Sequence, residues 1–493
     1  MGRIRFERQA PVMASDPQRA DVACFVGLVG RRPGAVPDAV RIWLVERGWL
    51  ASPYERPPQD ALLDLPVPID TWDAFDQMFA WDRRPLDDQG QVGATYLGAA
   101  VRSFFAQGGR KCYVVRVAAP LPYGASPAER QERLGRLVPR LGDRVDVSPG
   151  DRRTWRGVGH LFGLPDVSFL CLPDLPDLVR DLAPPPAVEI ARTEPPERFV
   201  ECSAPEPPPP VDGWARRLAA PRCDEQGYGR WARTVRAVAQ LLAERLREVH
   251  LVTAVPLPRE EAEIDPDVLS FRTAFVQLAY PWLRTPGSQG LPEELESPDG
   301  ALAGLLARSA LARGAFRSAA GLALVEASAL APELRRDQTE RIGDDGLALI
   351  DRVSLFGPTP SGLRLLSDVT ASADPSYRQA GVSRLVSTLV RAARRLGEDS
   401  TFEPSGEALW ARLQDRASTL LRALWDRGAL RGATPEEAFE VRCDRSTMSQ
   451  QDIDQGRVIA RVRFEAAAPV EAITVVLARD EGGQVSLESP EAA

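Results

Sequence analysis

Histidine, the usual base of a hydrolytic site, is scarce in this chain, and its two copies lie far apart in sequence. Among 493 residues there are two histidines, His160 and His250. A Ser-His-Asp site needs a histidine placed between a nucleophile and an acid. His160 lies in a Gly-Val-Gly-His run before an apolar segment, His250 begins another apolar segment, and no G-x-S-x-G sequence occurs. The pattern predicts two structural histidines and no hydrolase site.

Patterns for metal and nucleotide binding are equally weak. Carboxylate pairs occur at Asp344-Asp345 and at Asp452 and Asp454, but neither pair has the spacing of a calcium loop. The run at residues 227–229, Gly-Tyr-Gly, lacks the third glycine and the preceding strand of a dinucleotide fingerprint, and there is no Walker A loop. The sequence therefore predicts no catalytic residue, no cofactor and no metal site, and a protein that is not an enzyme.

The cysteines indicate a reducing compartment. All six are scattered, without a CxxC pair or a histidine at zinc-finger spacing: Cys24, Cys112, Cys171, Cys202, Cys223 and Cys443. Cys112 and Cys171 lie in apolar runs, where a thiol behaves as a small hydrophobic group. Free thiols of this kind are typical of proteins that fold in a reducing environment.

Composition excludes several broad classes of protein. The chain is 44% hydrophobic and 26% charged, as is usual for globular proteins, and its length predicts two or three domains. A net charge of −8 argues against a general nucleic-acid binder. The apolar runs fall short of the roughly 20 residues that span a bilayer. The first residues lack the apolar stretch of a signal peptide, so we expect cytoplasmic folding and assembly without membrane insertion.

Hydrophobic periodicity predicts an α/β domain followed by an α+β region. Apolar strands are predicted at residues 22–29, 112–117, 166–172 and 249–255, and a strand apolar on both faces belongs inside an α/β sheet. One face of a long helix carries Trp231, Val235, Val238, Leu242 and Leu246. The Pro-rich, acidic stretch at residues 184–210 cannot form a core, and we expect it to be an insertion on the outer surface.

The last quarter of the chain has the pattern of a helix followed by strands. Apolar residues recur at helical spacing in residues 408–426, and of these we expect Leu413, Leu420 and Leu424 to be buried. Gly428 suits the left-handed residue that ends a helix. Near the terminus, Ile473, Val475 and Leu477 share one face of a predicted strand. That strand needs a partner in its own subunit or in a neighbour, and the first arrangement is the commoner one.

Six short blocks in this region resemble the C-terminal domain of contractile tail sheath proteins, found in myophages, R-type pyocins and extracellular contractile injection systems. The blocks are Phe402-Glu403-Pro404, Leu409-Trp410, Gly428-Ala429-Leu430, Glu437-Ala438-Phe439, Arg442-Cys443-Asp444 and Asp452-Ile453-Asp454-Gln455-Gly456. Their order and spacing match the family's pattern. Weaker matches, such as Tyr280-Pro281-Trp282-Leu283, extend the resemblance to roughly residues 20–480.

The resemblance implies an α/β middle domain, a C-terminal α+β domain and extended terminal arms. We place an N-terminal segment at residues 1–20 and the first part of the core at 21–119. A charged insertion follows at 120–157, and the middle domain at 158–352 contains the Pro-rich insertion 184–213. The C-terminal domain is placed at 353–468, and an arm and tail at 469–493.

The resemblance also implies a function. Sheath subunits stack helically around an inner tube, and contraction drives the tube outward, so the implied partners are copies of this chain, the inner tube protein, and baseplate and cap proteins, with no nucleic acid. One alternative is a specialised terminal or baseplate-proximal paralogue, or a non-contractile adaptor. A hydrolase is a distant third.

Two sets of site residues follow from the resemblance. The inter-subunit arms would use Ile473, Val475 and Leu477 at one end and Ile4 and Phe6 at the other. The family's usual N-terminal arm sequence is missing, and only residues 3–7 alternate. Four arginines on a predicted helix at 384–396 have two interpretations, a solvated charged face or a contact with the inner tube: Arg384, Arg391, Arg394 and Arg395.

Overall fold

The computed structural model describes residues 19–467, apart from residues 35, 51–61, 88–89, 181–217, 260–263, 265–268, 270, 344–345, 401–402 and 404–405, and the backbone of residues 473–479 and 485–488. The chain divides into two compact units. The larger is Asp21–Ser383, and the smaller comprises Met1–Ala20 and Arg384–Ala493. The predicted Pro-rich insertion and the arm residues Ile4 and Phe6 lie outside the described residues.

The larger unit is built on an eight-stranded sheet. Its strands in chain order are Val22–Leu28 (β1), Pro66–Ile69 (β2), Cys112–Ala118 (β3), Val167–Cys171 (β4), His250–Ala254 (β5), Val276–Tyr280 (β6), Ser354–Thr359 (β7) and Gly362–Leu365 (β8). The order across the sheet is β8-β7-β6-β5-β4-β1-β3-β2. The inner strands are parallel, and the edge strands β8 and β2 are antiparallel to their neighbours. The predicted α/β class and its strands are confirmed.

Helices of the larger unit cover the sheet. They are Asp38–Glu46 (α1), Trp72–Met78 (α2), Tyr96–Ala106 (α3), Pro127–Leu137 (α4), Leu175–Val179 (α5), Glu225–Arg245 (α6), Asp299–Arg313 (α7), Arg336–Glu340 (α8) and Pro375–Arg378 (α9). Shorter strands pair at Gly30–Arg31 with Phe79–Ala80, Arg84–Pro85 with Val92–Gly93, Arg140–Leu141 with Arg144–Val145, Arg222–Cys223 with Leu257–Pro258, and Trp282–Arg284 with Ala329–Ala331.

Alternation along β1 shows how both faces of the sheet are buried. Cys24 and Val26 belong to one apolar cluster, which also contains Trp231 of α6. Phe25 belongs to the cluster on the other face, where its ring meets Phe104 of α3 edge-on at 5.5 Å. Successive side chains of a strand point to opposite faces, so a central strand with apolar residues throughout is covered on both sides. The predicted helix face containing Trp231 is buried as expected.

Two glycines allow α3 and α7 to pack closely on one face of the sheet. A Cβ atom at Gly300 would lie 2.2 Å from the carbonyl oxygen of Ala100, and one at Gly304 would lie 2.6 Å from that of Phe104. Both distances are shorter than van der Waals contact. Any larger residue at these positions would therefore push the two helices apart.

The boundary between the units differs from the one expected at residue 353. Strand β7 pairs in parallel with β6 through Ala279 and Tyr280, and β8 pairs with β7. These two strands complete the main sheet, so the larger unit continues to Ser383. Their short runs carry no signal that distinguishes the last strands of one domain from the first strands of the next.

The smaller unit combines helices with a four-stranded antiparallel sheet. Its helices are Ala380–Asp399 (α10), in which the division falls, Glu407–Asp426 (α11), Pro435–Ala438 (α12) and Gln450–Asp454 (α13). Its strands are Phe439–Arg442 (β9), Ile459–Phe464 (β10), Ile473–Arg479 (β11) and Val485–Glu488 (β12), in the order β9-β10-β11-β12. Among the described helices of the chain, none is long and apolar enough to cross a bilayer.

Candidate assembly site

Strand β10 forms the centre of the C-terminal sheet. Val462 and Phe464 are buried, while Arg461 and Arg463, which alternate with them, are exposed. Alternation with period two places the apolar residues on one face and the arginines on the other. Val458 and Ala460, earlier in the same run, are half-buried.

The terminal strand β11 pairs within its own chain. Its backbone is antiparallel to β10 over six residue pairs, from Ile459 opposite Ala478 to Phe464 opposite Ile473. Strand β12 pairs in turn with β11. Backbone N–H and C=O groups need hydrogen-bond partners, and here the same subunit supplies them. Of the two arrangements that the sequence left open, the free chain adopts pairing within the subunit, and donation to a neighbour stays a prediction.

Helix α11 covers β9 and forms a small core with the loop that follows it. Leu409 and Trp410 pack with Cys443 and Met448, and Leu413 lies half-buried beside them. Farther along, the buried residues are Leu421 and Leu424, whereas Leu420 is only half-buried. The expectation of burial is therefore confirmed for Leu424, whereas Leu413 and Leu420 are half-buried in the free chain. Leu420 lies at the border of the apolar stripe, because the stripe continues from Leu421 to Leu424.

An acidic groove lies between α11 and the loop after β9. Its lining includes the carboxylates Glu407, Asp415 and Asp444, with Trp410 and Cys443 at its base. The Gln414 side chain accepts a hydrogen bond of 3.1 Å from the Cys443 backbone and fixes the loop to the helix. Burial raises the pKa of the Cys443 thiol to about 11, so this cysteine is an unreactive core residue. Arg445 also lines the groove, so cationic and anionic side chains lie together there.

The four arginines of α10 do not form a uniformly exposed row. Arg384 and Arg391 are buried, and Arg391 donates a hydrogen bond of 2.5 Å to the Arg19 carbonyl. Arg394 and Arg395 are half-buried. A simple solvated face therefore does not describe Arg384 and Arg391. The contact with an inner tube stays a prediction for all four.

The two histidines occupy structural positions. His160 is buried, its Nε2 lies 3.0 Å from Asp64 Oδ1, and its ring meets Trp49 edge-on at 5.0 Å. Asp64 also accepts a hydrogen bond of 2.9 Å from the Gly157 backbone, so this carboxylate joins two loops. His250 is buried at the start of β5. His160 and Asp64 form a His–carboxylate pair, but the His160 imidazole is buried against Trp49.

The carboxylate pairs suggested by the sequence are used locally. Asp452 accepts hydrogen bonds from Ser449 at the start of α13 and pairs with Arg457, and Asp454 accepts a bond of 2.7 Å from Gln450. Asp344 and Asp345 lie outside the described residues. Within the described residues, no group of three or more His, Cys, Asp or Glu residues could hold a metal ion. The cysteines seen there are free and buried.

Sequence patterns missed a buried ion pair at the carboxyl ends of the central strands. Arg84 donates a 2.6 Å hydrogen bond to Asp177, and both side chains are almost completely buried. Burial opposes ionisation of Asp177, but Arg84 and Arg180 hold its pKa below the usual value. Asp174 accepts a hydrogen bond of 2.8 Å from the Leu28 backbone at the end of β1.

In doubly wound sheets, this position is the usual site of ligand binding. Ligands bind in the crevice at the carboxyl ends of the strands where the strand order reverses, here around β1. In this chain, the side chains of Arg84, Asp174 and Asp177 lie buried near this position. Arg84 and Asp177 are far apart in sequence and have no periodic spacing, so no sequence pattern indicates the pair.

Comparison with solved structures assigns the architecture. The chain aligns with the anti-feeding prophage (AFP) helical sheath in its contracted state at a TM-score of 0.57 and 18% identity, covering 95% of this chain and 96% of that one. The chain has the fold of contractile sheath proteins. The match to the contracted AFP baseplate structure has a TM-score of 0.57 and 19% identity, covering 95% of each chain. The contracted PVC sheath complex of an extracellular contractile injection system matches at 0.51 and 17%, covering 95% and 94%.

Sequence comparison adds no further relatives. No family model matches the chain, and no curated protein matches it. At 17–19% identity, the fold is retained while most side chains have changed. The sheath fold expected from the short C-terminal blocks is confirmed over nearly the whole chain.

Proposed function

We propose that this chain is a structural subunit of the contractile sheath of a phage tail-like injection system. Copies assemble helically around an inner tube, and contraction of the array drives the tube outward. Contacts between different surface patches of successive copies extend an array without closing it. The subunit has no catalytic role, and it assembles in the cytoplasm with baseplate and cap proteins at the ends of the sheath.

The observation that carries this proposal is the extent of the structural match. Sheath structures align over 94–96% of their own length and 95% of this chain, so both units of the chain have counterparts. A match confined to the α/β domain would not extend into the C-terminal unit. The buried Arg84–Asp177 ion pair and the Asp174–Leu28 hydrogen bond, near the carboxyl ends of β1 and β4, favour a structural role for these polar groups.

A second candidate is a specialised sheath-like subunit at one end of the particle. Two of the matching structures are AFP baseplate assemblies, and both alignments cover 95% of this chain. The two candidates share the fold and differ in how many copies a particle contains.

Negative-stain imaging of the purified full-length chain tests the proposal. We expect tubes or stacked rings to form as the chain concentration is raised. The matched control is a chain truncated after Ala468, which lacks the terminal strand and which we expect to remain a folded monomer. If the full-length chain stays monomeric at every concentration and salt condition, self-assembly is contradicted.

The inner tube contact is proposed for the arginines of α10 that are not fully buried. Arg394 and Arg395 can be replaced by Glu without placing a new charge in a core. We expect the double replacement to abolish binding to an acidic tube surface while the unfolding midpoint changes little, because charge reversal turns attraction into repulsion. Co-sedimentation with purified tubes measures the effect, with the exposed Arg335 and Arg336 of the larger unit replaced by Glu as the control. Unchanged co-sedimentation would assign the contact elsewhere.

A further inference from the structure

The C-terminal sheet of the free chain is completed by the chain's own end. Strands β9 and β10 alone would leave one edge of β10 open over Ile459–Phe464. The hairpin of β11 and β12 covers that edge with six residue pairs to β10. An open edge is a template for pairing with another chain, and here the subunit covers its own.

The connection into this hairpin is longer than pairing requires. The Ala467 backbone donates a hydrogen bond of 2.9 Å to the Ala429 carbonyl, in the turn after α11. The chain after β10 is therefore held in place as far as Ala467. Residues 468–472 then lead to Ile473. Five residues reach at most about 18 Å when extended, whereas neighbouring strands lie about 5 Å apart. A connection of this length would let β11 leave its own edge and pair with an edge up to about 18 Å from Ala467.

Pairing within the subunit and pairing between subunits use the same backbone hydrogen bonds. Exchange of an identical element between copies therefore changes the energy of the strand pairing little. The two kinds of pairing differ in the concentration of β11 at the β10 edge. Within one chain, the short linker gives an effective concentration in the millimolar range, far above that of a micromolar solution of free subunits. Dilute copies therefore keep their own strand, whereas copies held side by side can exchange it.

We propose that the β11–β12 hairpin is a self-capping device. It occupies the assembly edge of β10 in the free subunit and must leave that edge before the subunit links to its neighbours. The inference rests on the proposed sheath function and adds a regulatory step to it. Capping keeps newly made subunits apart until a growing end presents an unoccupied edge. Assembly thus starts at a nucleus and not at random in solution.

A reversible disulfide across the capped edge tests the device. Arg463 lies opposite Thr474, and opposed residues of antiparallel strands are close enough to be bridged. Arg463 is exposed, so its replacement leaves the apolar face intact. The variant carries Arg463→Cys and Thr474→Cys, with Cys202→Ser to remove the cysteine outside the described residues. Under oxidising conditions we expect it to remain monomeric, with an assembled fraction at least about ten-fold lower than that of the same protein reduced. Equal assembly in both states would overturn the inference.

A second measurement detects exchange directly. Copies carrying only Arg463→Cys are mixed with tagged copies carrying only Thr474→Cys, so the designed pair can form only between two chains. We expect a tagged heterodimer on a non-reducing gel, enriched in the assembled fraction. Tubes that form without the heterodimer would contradict self-capping and leave the sheath function intact. Absence of both tubes and heterodimer would contradict both.

Discussion

At the scale of residues, three buried carboxyl groups have raised pKa values: Glu296, Asp174 and Asp299. Glu296 accepts hydrogen bonds from Ser103 and, at 2.8 Å, from Thr285, and Asp299 accepts them from Ser297 and the Gly300 backbone. Burial raises the pKa of Glu296 to about 8, that of Asp174 to about 7 and that of Asp299 to about 6. These groups hold protons in the folded chain at pH values where the unfolded chain has released them.

The stability of the larger unit should therefore fall as the pH rises. For Glu296, the contribution is fully present below about pH 4.5 and is lost as the pH rises to about 8. Between these values one such group costs on the order of 1 kcal/mol of unfolding free energy per pH unit. Urea unfolding midpoints from pH 5 to 8 measure the slope. We expect Glu296→Gln to flatten it, because the amide cannot ionise.

The control for this experiment is Glu340→Gln, which changes an exposed carboxylate paired with Arg336. We expect this variant to keep the wild-type slope. A Glu296→Gln protein with an unchanged slope would show that this carboxyl group is already ionised in the folded chain.

At the scale of elements, helix α11 stabilises the smaller unit through one narrow stripe. Leu421 is 1% exposed, whereas its neighbour Leu420 is half-buried. Leu421→Ala should lower the free energy of unfolding by about 2–5 kcal/mol, because it leaves a cavity in the core. The matched control Leu420→Ala should cost about 1 kcal/mol, since water can reach the vacated space. Equal losses in urea unfolding would contradict the assigned stripe.

The described residues on the two sides of the Pro-rich insertion both contact Tyr123. The Tyr123 carbonyl accepts a hydrogen bond from Arg180, whose guanidinium lies 4.3 Å from the centre of the Tyr123 ring. The Tyr123 hydroxyl donates a hydrogen bond of 2.9 Å to the Ala219 carbonyl. Glu293 also pairs with Arg222, just beyond the second end. The chain thus leaves and re-enters the larger unit at one place.

Removing the insertion should therefore leave the fold and assembly intact. Residues 184–213 can be replaced by a flexible Gly-Ser linker of about six residues, which spans about 13 Å on average. We expect an unfolding midpoint close to that of the full chain and the same particles in negative stain. Particles lost from a variant that still folds would identify the insertion as an interface element.

Elements with continuous periodicity could be predicted from the sequence, and pairings between distant segments could not. The α6 face around Trp231 and the strands β3, β4 and β5 follow from local apolar patterns. The Arg84–Asp177 pair joins residues 93 positions apart, and nothing local to either indicates the other. The partner of β11 could not be assigned for another reason. Its pairing energy is nearly the same within one subunit or between two, so the sequence pattern fits both.

At the scale of the whole molecule, the architecture relates this chain to sheath proteins. The C-terminal blocks implied a sheath protein, and the alignment over 95% of the chain confirms that fold for both units. His160 and the Arg84–Asp177 ion pair are packed into contacts inside the larger unit. The two candidate functions differ in the number and position of copies in a particle.

Labelling the Pro-rich insertion in intact particles tests the central claim most directly. A peptide tag placed within residues 184–213 is bound by gold-conjugated antibody, and particles purified from cells that make the tagged chain are imaged by electron microscopy. A sheath subunit with an outward-facing insertion predicts gold along the full length of the sheath, with the label spacing shortened after contraction. Gold at one end only would identify the terminal paralogue. Tubular particles whose sheath carries no gold at any position, although the tagged chain is present in the cells, would contradict the account.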